Sequence, residues 1–206
     1  MQGQEYLDQI SAANRPEKKP GGLTKIFSSK FFIVGMIGLI AFIIIMIIGA
    51  VLSGNKGGDK NLSYALKLHI DGTSEVIQKY QSDVKSSDLR SSSASLYSIL
   101  SNTSKELTDY ITAKYDFKEK DVNKNIAEEA TLSKDGLEAE LFEAKINGIL
   151  DRIYAHKMAY EVSLITSEEA KIISSTGSAD LKELLTKSYN SLNNLYDKFN
   201  SFSETK

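Results

Sequence analysis

The chain has 206 residues, and its 27 acidic residues slightly outnumber its 25 basic ones, which gives a formal net charge of −2. It contains no cysteine, so disulfides, thiolate metal sites and lipid attachment through cysteine are excluded. A weakly acidic chain without a basic stripe also argues against nucleic-acid binding.

Residues 1–30 are predicted to form a flexible cytoplasmic tail. They contain both prolines of the chain, Pro16 and Pro20, and Gly21 and Gly22 follow at once. Proline and glycine in this arrangement break regular secondary structure. Thirty residues are also too few to bury a core, so we expect no folded module in this tail.

Residues 31–52 (FFIVGMIGLIAFIIIMIIGAVL) are 22 apolar or small residues without a charge or a proline. At about 1.5 Å per residue, a helix of this length spans roughly 33 Å, which matches a hydrocarbon core of about 30 Å. A backbone inside lipid must satisfy its own hydrogen bonds, so the run is predicted to be a transmembrane helix. A cleaved secretory signal is the alternative, but its apolar core usually has only about 7–15 residues. We therefore predict an uncleaved signal anchor.

A cluster of basic residues before the span sets its predicted orientation. After the span, the short linker of residues 53–59 and the residue that follows it offer only two basic residues, Lys56 and Lys60, with Asp59 between them. Basic flanks stay in the cytoplasm, so we predict a plasma-membrane protein with a cytoplasmic N-terminus and an extracytoplasmic C-terminal domain. The orienting residues are Arg15, Lys18, Lys19, Lys25 and Lys30.

Within the span, Gly35, Gly38 and Ala41 recur every three residues. Small residues let helix backbones approach closely, so these three are the candidate face for self-association in the bilayer. Glycine is common in spanning helices, however, and the G-x-x-x-G motif is absent. An ordinary lipid-facing helix is therefore the alternative.

Residues 60–206 are predicted to form an all-α, extracytoplasmic, up-down-up-down four-helix bundle. This region lacks proline, and its apolar residues recur at steps of three and four. Helices that each bury one apolar stripe pack most economically around one core. We expect long helices at about 60–83, 88–115, 133–174 and from 178 onward, with a short extra helix at 121–130. The sequence leaves open whether the third helix continues through Gly148.

The apolar stripes of these helices predict the core. The first helix contributes Leu62, Leu66, His69 or Ile70, Thr73, Val76 or Ile77, Tyr80 and Val84. The second contributes Leu89, Ser93, Leu96, Leu100, Thr103, Leu107 and Tyr110 or Ile111. The third contributes Leu137, Leu141, Ile146, Ile149 or Leu150, Ile153, Tyr160 and Leu164. The fourth contributes Leu181, Leu185, Ser188, Leu192, Leu195, Phe199 and Phe202.

The serine-rich stretch 82–95 joins the first two helices and lies at the predicted membrane-distal tip. It is the candidate contact site for a partner, and a plain solvated turn is the alternative. The candidate contact residues are Ser86, Ser87, Arg90, Ser91, Ser92 and Ser93.

No arrangement of residues predicts catalysis. A carboxylate-bridged metal pair in a bundle needs Glu-x-x-His twice, but Leu66 and Ile153 stand three residues before the two histidines, His69 and His156. Phosphate-binding loops, nucleophile elbows and zinc-protease motifs are also absent from the sequence. We predict no catalytic residues, no metal and no cofactor.

These observations favour an interaction or scaffold component of the cell envelope, which binds an unknown protein partner or a second copy of itself. The alternative is a module that captures a small ligand or a peptide between its helices. Such a module needs a cavity lined by tyrosines and a histidine. An enzyme is a more distant alternative.

Overall fold

The computed structural model describes residues 58–115 and 124–202. These two ranges contain five helices and no strand, which confirms the all-α prediction for this part of the chain. The helices are α1 (Gly58–Tyr80), α2 (Ser87–Tyr115), α3 (Lys124–Ile146), α4 (Leu150–Ser175) and α5 (Ala179–Asn200).

The predicted tail, the predicted span and their named residues lie outside the described ranges. None of the five helices in those ranges has the length and hydrophobicity of a membrane-spanning segment.

Four of the helices pack in a ring, in which α1 contacts α2 and α4, and α5 contacts the same two helices from the other side. Neighbours in the ring are antiparallel. The start of α1 lies beside the end of α4, where the Thr176 hydroxyl donates a hydrogen bond to Asp59 at 2.7 Å. The end of α5 lies beside the start of α2, where Phe202 and Leu89 line one groove.

The helix α3 lies outside this ring, against α1 and α4. It runs parallel to α1, since Lys134 pairs with Glu75 of α1, and Lys145, farther along α3, pairs with Asp83 just beyond the end of α1. The chain therefore returns along α3 before α4 begins. As a result, α5 ends beside the α1–α2 turn, whereas an up-down-up-down bundle would place it at the opposite end.

The third helix predicted at about 133–174, whose continuity at Gly148 the sequence left open, is interrupted there. The segment forms two antiparallel helices, and α3 also absorbs most of the short helix predicted at 121–130. Gly148 has φ +70°, a left-handed conformation that favours glycine. Its N–H donates to Lys145 O at 3.2 Å, and the N–H of Ile149 donates to Ala144 O at 3.0 Å. This pair of hydrogen bonds is a Schellman motif, which ends a helix.

The core confirms most of the predicted stripes. All predicted core positions of α2 from Leu89 to Leu107 are buried, and at the last position it is Ile111, not Tyr110, that is buried. All predicted positions of α5 from Leu181 to Phe199 are buried as well. Ile146 was predicted to be buried but is 63% exposed, because α3 turns only Leu137, Leu141 and Ala144 inward.

The stripe predicted beyond Gly148 is displaced by one residue. Ile153 and Leu164 are only half-buried, as is Tyr160, whereas Tyr154 and Ile165, one residue farther along, are fully buried. In a continuous helix the buried side of α3 would continue at the same angular spacing into α4. The turn at Gly148 resets that phase.

We expect Gly148→Ala to lower the free energy of unfolding by about 1 kcal/mol, because an L side chain disfavours the left-handed conformation. No atom lies within 4 Å of the position that its Cβ would take, so a clash would not contribute. Gly136→Ala is the matched control, since Gly136 is inside α3 and its Cβ would also meet open space. The free energy of unfolding of that control is expected to rise by roughly 0.5–1 kcal/mol, because alanine has a higher helix propensity than glycine. Urea unfolding of the full chain in detergent measures both, and equal effects would contradict the assigned turn.

Candidate functional site

The predicted contact tip is a well-held turn between α1 and α2. Asp151 of α4 accepts the N–H groups of Lys85 and Ser86 at 2.9 and 2.7 Å. Arg90 donates to the carbonyl oxygens of Val84 and Lys85, both at 2.8 Å. Two of the predicted contact residues, Ser86 and Arg90, therefore stabilise the turn itself.

The other serines of the tip differ in exposure. Ser93 is fully buried, and its hydroxyl donates to Leu89 O at 2.7 Å, so it is not available to a partner. Ser87 and Ser91 are exposed and Ser92 is half-buried. An open groove of about 390 Å³ separates this part of α2 from the end of α5. The residues that line it are Asp88, Leu89, Ser91, Ser92, Lys198, Ser201 and Phe202.

A histidine lies between two carboxylates at the contact of α1 with α4. His69 Nε2 is 2.8 Å from Glu161 Oε2, and its Nδ1 is 3.0 Å from Glu168 Oε2. Glu161 and Glu168 are seven residues apart, which places them on the same face of α4. Each ring nitrogen thus has a carboxylate oxygen to which an N–H can donate, and this arrangement favours the doubly protonated ring.

The pKa of His69 follows from this geometry. Burial alone would lower it, but the charge of Glu168 and the hydrogen bonds to Glu161 and Glu168 outweigh burial and raise the pKa well above 6.5. The imidazolium therefore joins α1 to α4 as a mostly buried ion pair at neutral pH.

This cluster is poorly arranged for a metal. The two carboxylates approach opposite ring nitrogens and do not converge with the imidazole on one point. Within the described ranges, no group of three or more His, Asp or Glu residues could hold a metal ion. The second histidine, His156, is exposed on α4.

A small cavity adjoins His69 where α3 covers α1 and α4. Its volume is about 30 Å³, and Thr73, Leu137 and Glu161 are among the residues that line it. A cavity of this size holds about one or two water molecules and is far smaller than the several hundred Å³ of a typical ligand pocket. No tyrosine lines this cavity, and Tyr64, Tyr80 and Tyr154 are buried in the core.

A second buried acid, Glu169, faces the interior of the ring. Its side chain is fully buried, and neither carboxyl oxygen has a hydrogen-bond partner among the described residues. Burial raises the pKa of Glu169 to about 8, and nearby Ser188 offsets only part of that effect. At pH 7 the carboxyl group is therefore mostly neutral.

Neither acidic feature was predicted from the sequence. Glu168 and Glu169 are adjacent and point in different directions, one toward His69 and the other into the core. The seven-residue spacing of Glu161 and Glu168 was a visible signal. Their partner, however, lies 92 and 99 residues away, and only the pairing of α1 with α4 brings it there.

The outer face of α3 exposes large apolar side chains. Leu132 is 68% exposed, Phe142 is 54% exposed and Ile146 is 63% exposed. Ala139 lies between them and is also exposed. Isolated apolar residues on a surface are common, but several on one helical face indicate a binding surface.

Comparison of this chain with protein-family models, with curated proteins and with solved structures finds no match.

We expect Glu169→Gln to raise the free energy of unfolding at pH 7 by up to roughly 3 kcal/mol. The folded-state pKa of Glu169, about 8, exceeds the usual 4.5. Burial of this side chain therefore costs least below pH 4.5, where it is neutral in both states, and the free energy of unfolding falls as the pH rises from 4.5 to 8. The gain from the variant should therefore vanish near pH 4. Glu183→Gln on the exposed side of α5 is the control, and chemical unfolding at both pH values is the measurement. A gain that does not change with pH would contradict a buried neutral acid.

We expect His69→Asn to lower the free energy of unfolding by about 2 kcal/mol at pH 6, because it leaves Glu161 largely buried without a cation. Because the folded-state pKa of His69 is raised, the charged ring contributes its full stabilisation below pH 6.5. This stabilisation is lost as the pH rises through the folded-state pKa. The difference between the variant and the parent should therefore shrink toward pH 10. Thermal unfolding across this range measures the trend, and a difference that grows with pH would refute the ion pair.

Proposed function

We propose that this chain is a membrane-anchored interaction protein of the cell envelope. In this proposal residues 31–52 are the signal anchor, and the helical domain outside the membrane binds a protein partner. The exposed apolar face of α3 carries the proposal, because three large apolar side chains that are each more than half exposed lie on one helix.

The arrangement of the helices supports a specialised role for α3. We propose that α1, α2, α4 and α5 form a four-helix unit and that α3 is an added binding element. Each helix of the ring contacts two antiparallel neighbours, whereas α3 packs mainly against α1 and α4 from outside. One side of α3 is therefore left for a partner.

The cavities support protein binding over the capture of a ligand between the helices. The groove of about 390 Å³ between α2 and the end of α5 is open to solvent, and neither a tyrosine nor a histidine lines it. The cavity beside His69 has room for water only, at about 30 Å³. The buried tyrosines pack against the core, and the hydroxyl of Tyr80 donates to Glu138 O at 3.0 Å.

One cross-linking experiment tests both the anchor and the partner. Because the chain lacks cysteine, an introduced cysteine takes one membrane-impermeant maleimide that carries a photoreactive benzophenone. The variants are Leu132→Cys on α3, Ser91→Cys at the tip, Glu183→Cys on α5 and Ser11→Cys in the tail. In intact cells we expect the first three to be labelled and Ser11→Cys to be labelled only after lysis. Irradiation should then join the domain to a recurrent protein.

Two results would contradict the proposal. Labelling of the tail without labelling of the helical domain would show that the predicted orientation is wrong. Labelled domains that form no protein adduct from any of the three surfaces would show that the proposed binding role is wrong.

A further inference from the structure

The charges of α3 divide between its two sides. Lys134 and Lys145 turn toward α1, where their Nζ atoms lie 2.8 Å from Glu75 and 2.7 Å from Asp83. Glu138 also turns inward and pairs with Lys79. Of the three lysines of α3, only the exposed Lys124 at its start is left on the outer side of the helix, four residues before Glu128.

The outer side is both apolar and acidic. Leu132, Ala139 and Ile146 recur every seven residues along it, with Phe142 beside them, so a helical spacing of about 100° per residue aligns these side chains. The same spacing places three exposed acids on this side, and no lysine or arginine of the described ranges forms an ion pair with them. These acids are Glu128, Asp135 and Glu143.

A second copy of this chain fits this face poorly. Two parallel copies of α3 in register would bring Asp135 against Asp135. Two antiparallel copies centred on Ala139 would bring Asp135 against Glu143. Like charges face each other in both arrangements, and this opposes association. An anionic lipid surface would be repelled for the same reason.

We propose that the outer face of α3, from Glu128 to Ile146, binds an amphipathic helix of a different protein. That helix would carry apolar residues at steps of three and four, flanked by lysine or arginine. Leu132 and Ile146 are fourteen residues apart, so their part of the face is about 21 Å long and accommodates about four turns of a partner helix. This inference rests on the proposed function and specifies its partner.

The full chain in its own membrane, labelled at Leu132→Cys with the benzophenone reagent, tests this inference. Mass spectrometry identifies the peptide joined to the label. We expect a recurrent peptide from another protein with the apolar spacing and basic flanks described above. Adding Asp135→Lys together with Glu143→Lys should reduce the adduct by about tenfold, because it places like charges across the interface.

A matched charge reversal on the opposite side of the domain is the control. Glu183→Lys with Asp197→Lys changes the charge by the same amount on exposed positions of α5, which belongs to the ring away from α3. This variant should leave the adduct at Leu132→Cys unchanged. Circular dichroism should show the same helix content for both double variants.

Several results would overturn the inference. They are a peptide from a second copy of this chain, an acidic or uncharged peptide, and an adduct that persists after the reversal on α3. Adducts from Ser91→Cys alone would also overturn it but would leave the proposed interaction role in place. A lack of adducts from all three surfaces would overturn both.

Discussion

The left-handed turn at Gly148 is the constraint on which the other features of this domain depend. Because the Schellman hydrogen bonds of Gly148 and Ile149 end α3 there, the chain reverses and α4 descends beside α1. The reversal leaves α3 outside the ring with one unpartnered side. It also brings Glu161 and Glu168 to His69, and Asp151 to the turn that precedes α2. A continuous helix through this position would place none of these groups together.

The interior combines a conventional apolar core with two ionisable groups that respond to pH in the same direction. His69 is stabilising while it is charged, and Glu169 is tolerated while it is neutral. In both cases the protonated form of the side chain favours the folded state, but the two pKa values are raised for different reasons. Neighbouring carboxylates hold the proton on His69, whereas the lack of solvent holds it on Glu169. The fold should therefore be better suited to mildly acidic surroundings than to alkaline ones.

Most of the core was predictable because each helix buries one stripe with a regular spacing. Local spacing predicted the seam of α2 from Leu89 to Ile111 and that of α5 from Leu181 to Phe199. The error at Ile153 and Tyr160 arose from a single backbone dihedral angle, which periodicity cannot reveal. The turn between the first two helices was predicted in position but not in detail, since the burial of Ser93 and the role of Arg90 depend on neighbouring helices. The ion pair of His69 escaped prediction because its partners are distant in sequence.

The sequence distance bridged by His69 also bears on how the domain folds. The pairs α1–α2 and α4–α5 are helical hairpins whose contacts are close in sequence, so they can form early. The contact of His69 with Glu161 joins residues 92 positions apart and requires the closure of a long loop. We therefore expect the two hairpins to form first and the ion pair to lock them together late. A contact formed so late contributes more to slow unfolding than to fast folding.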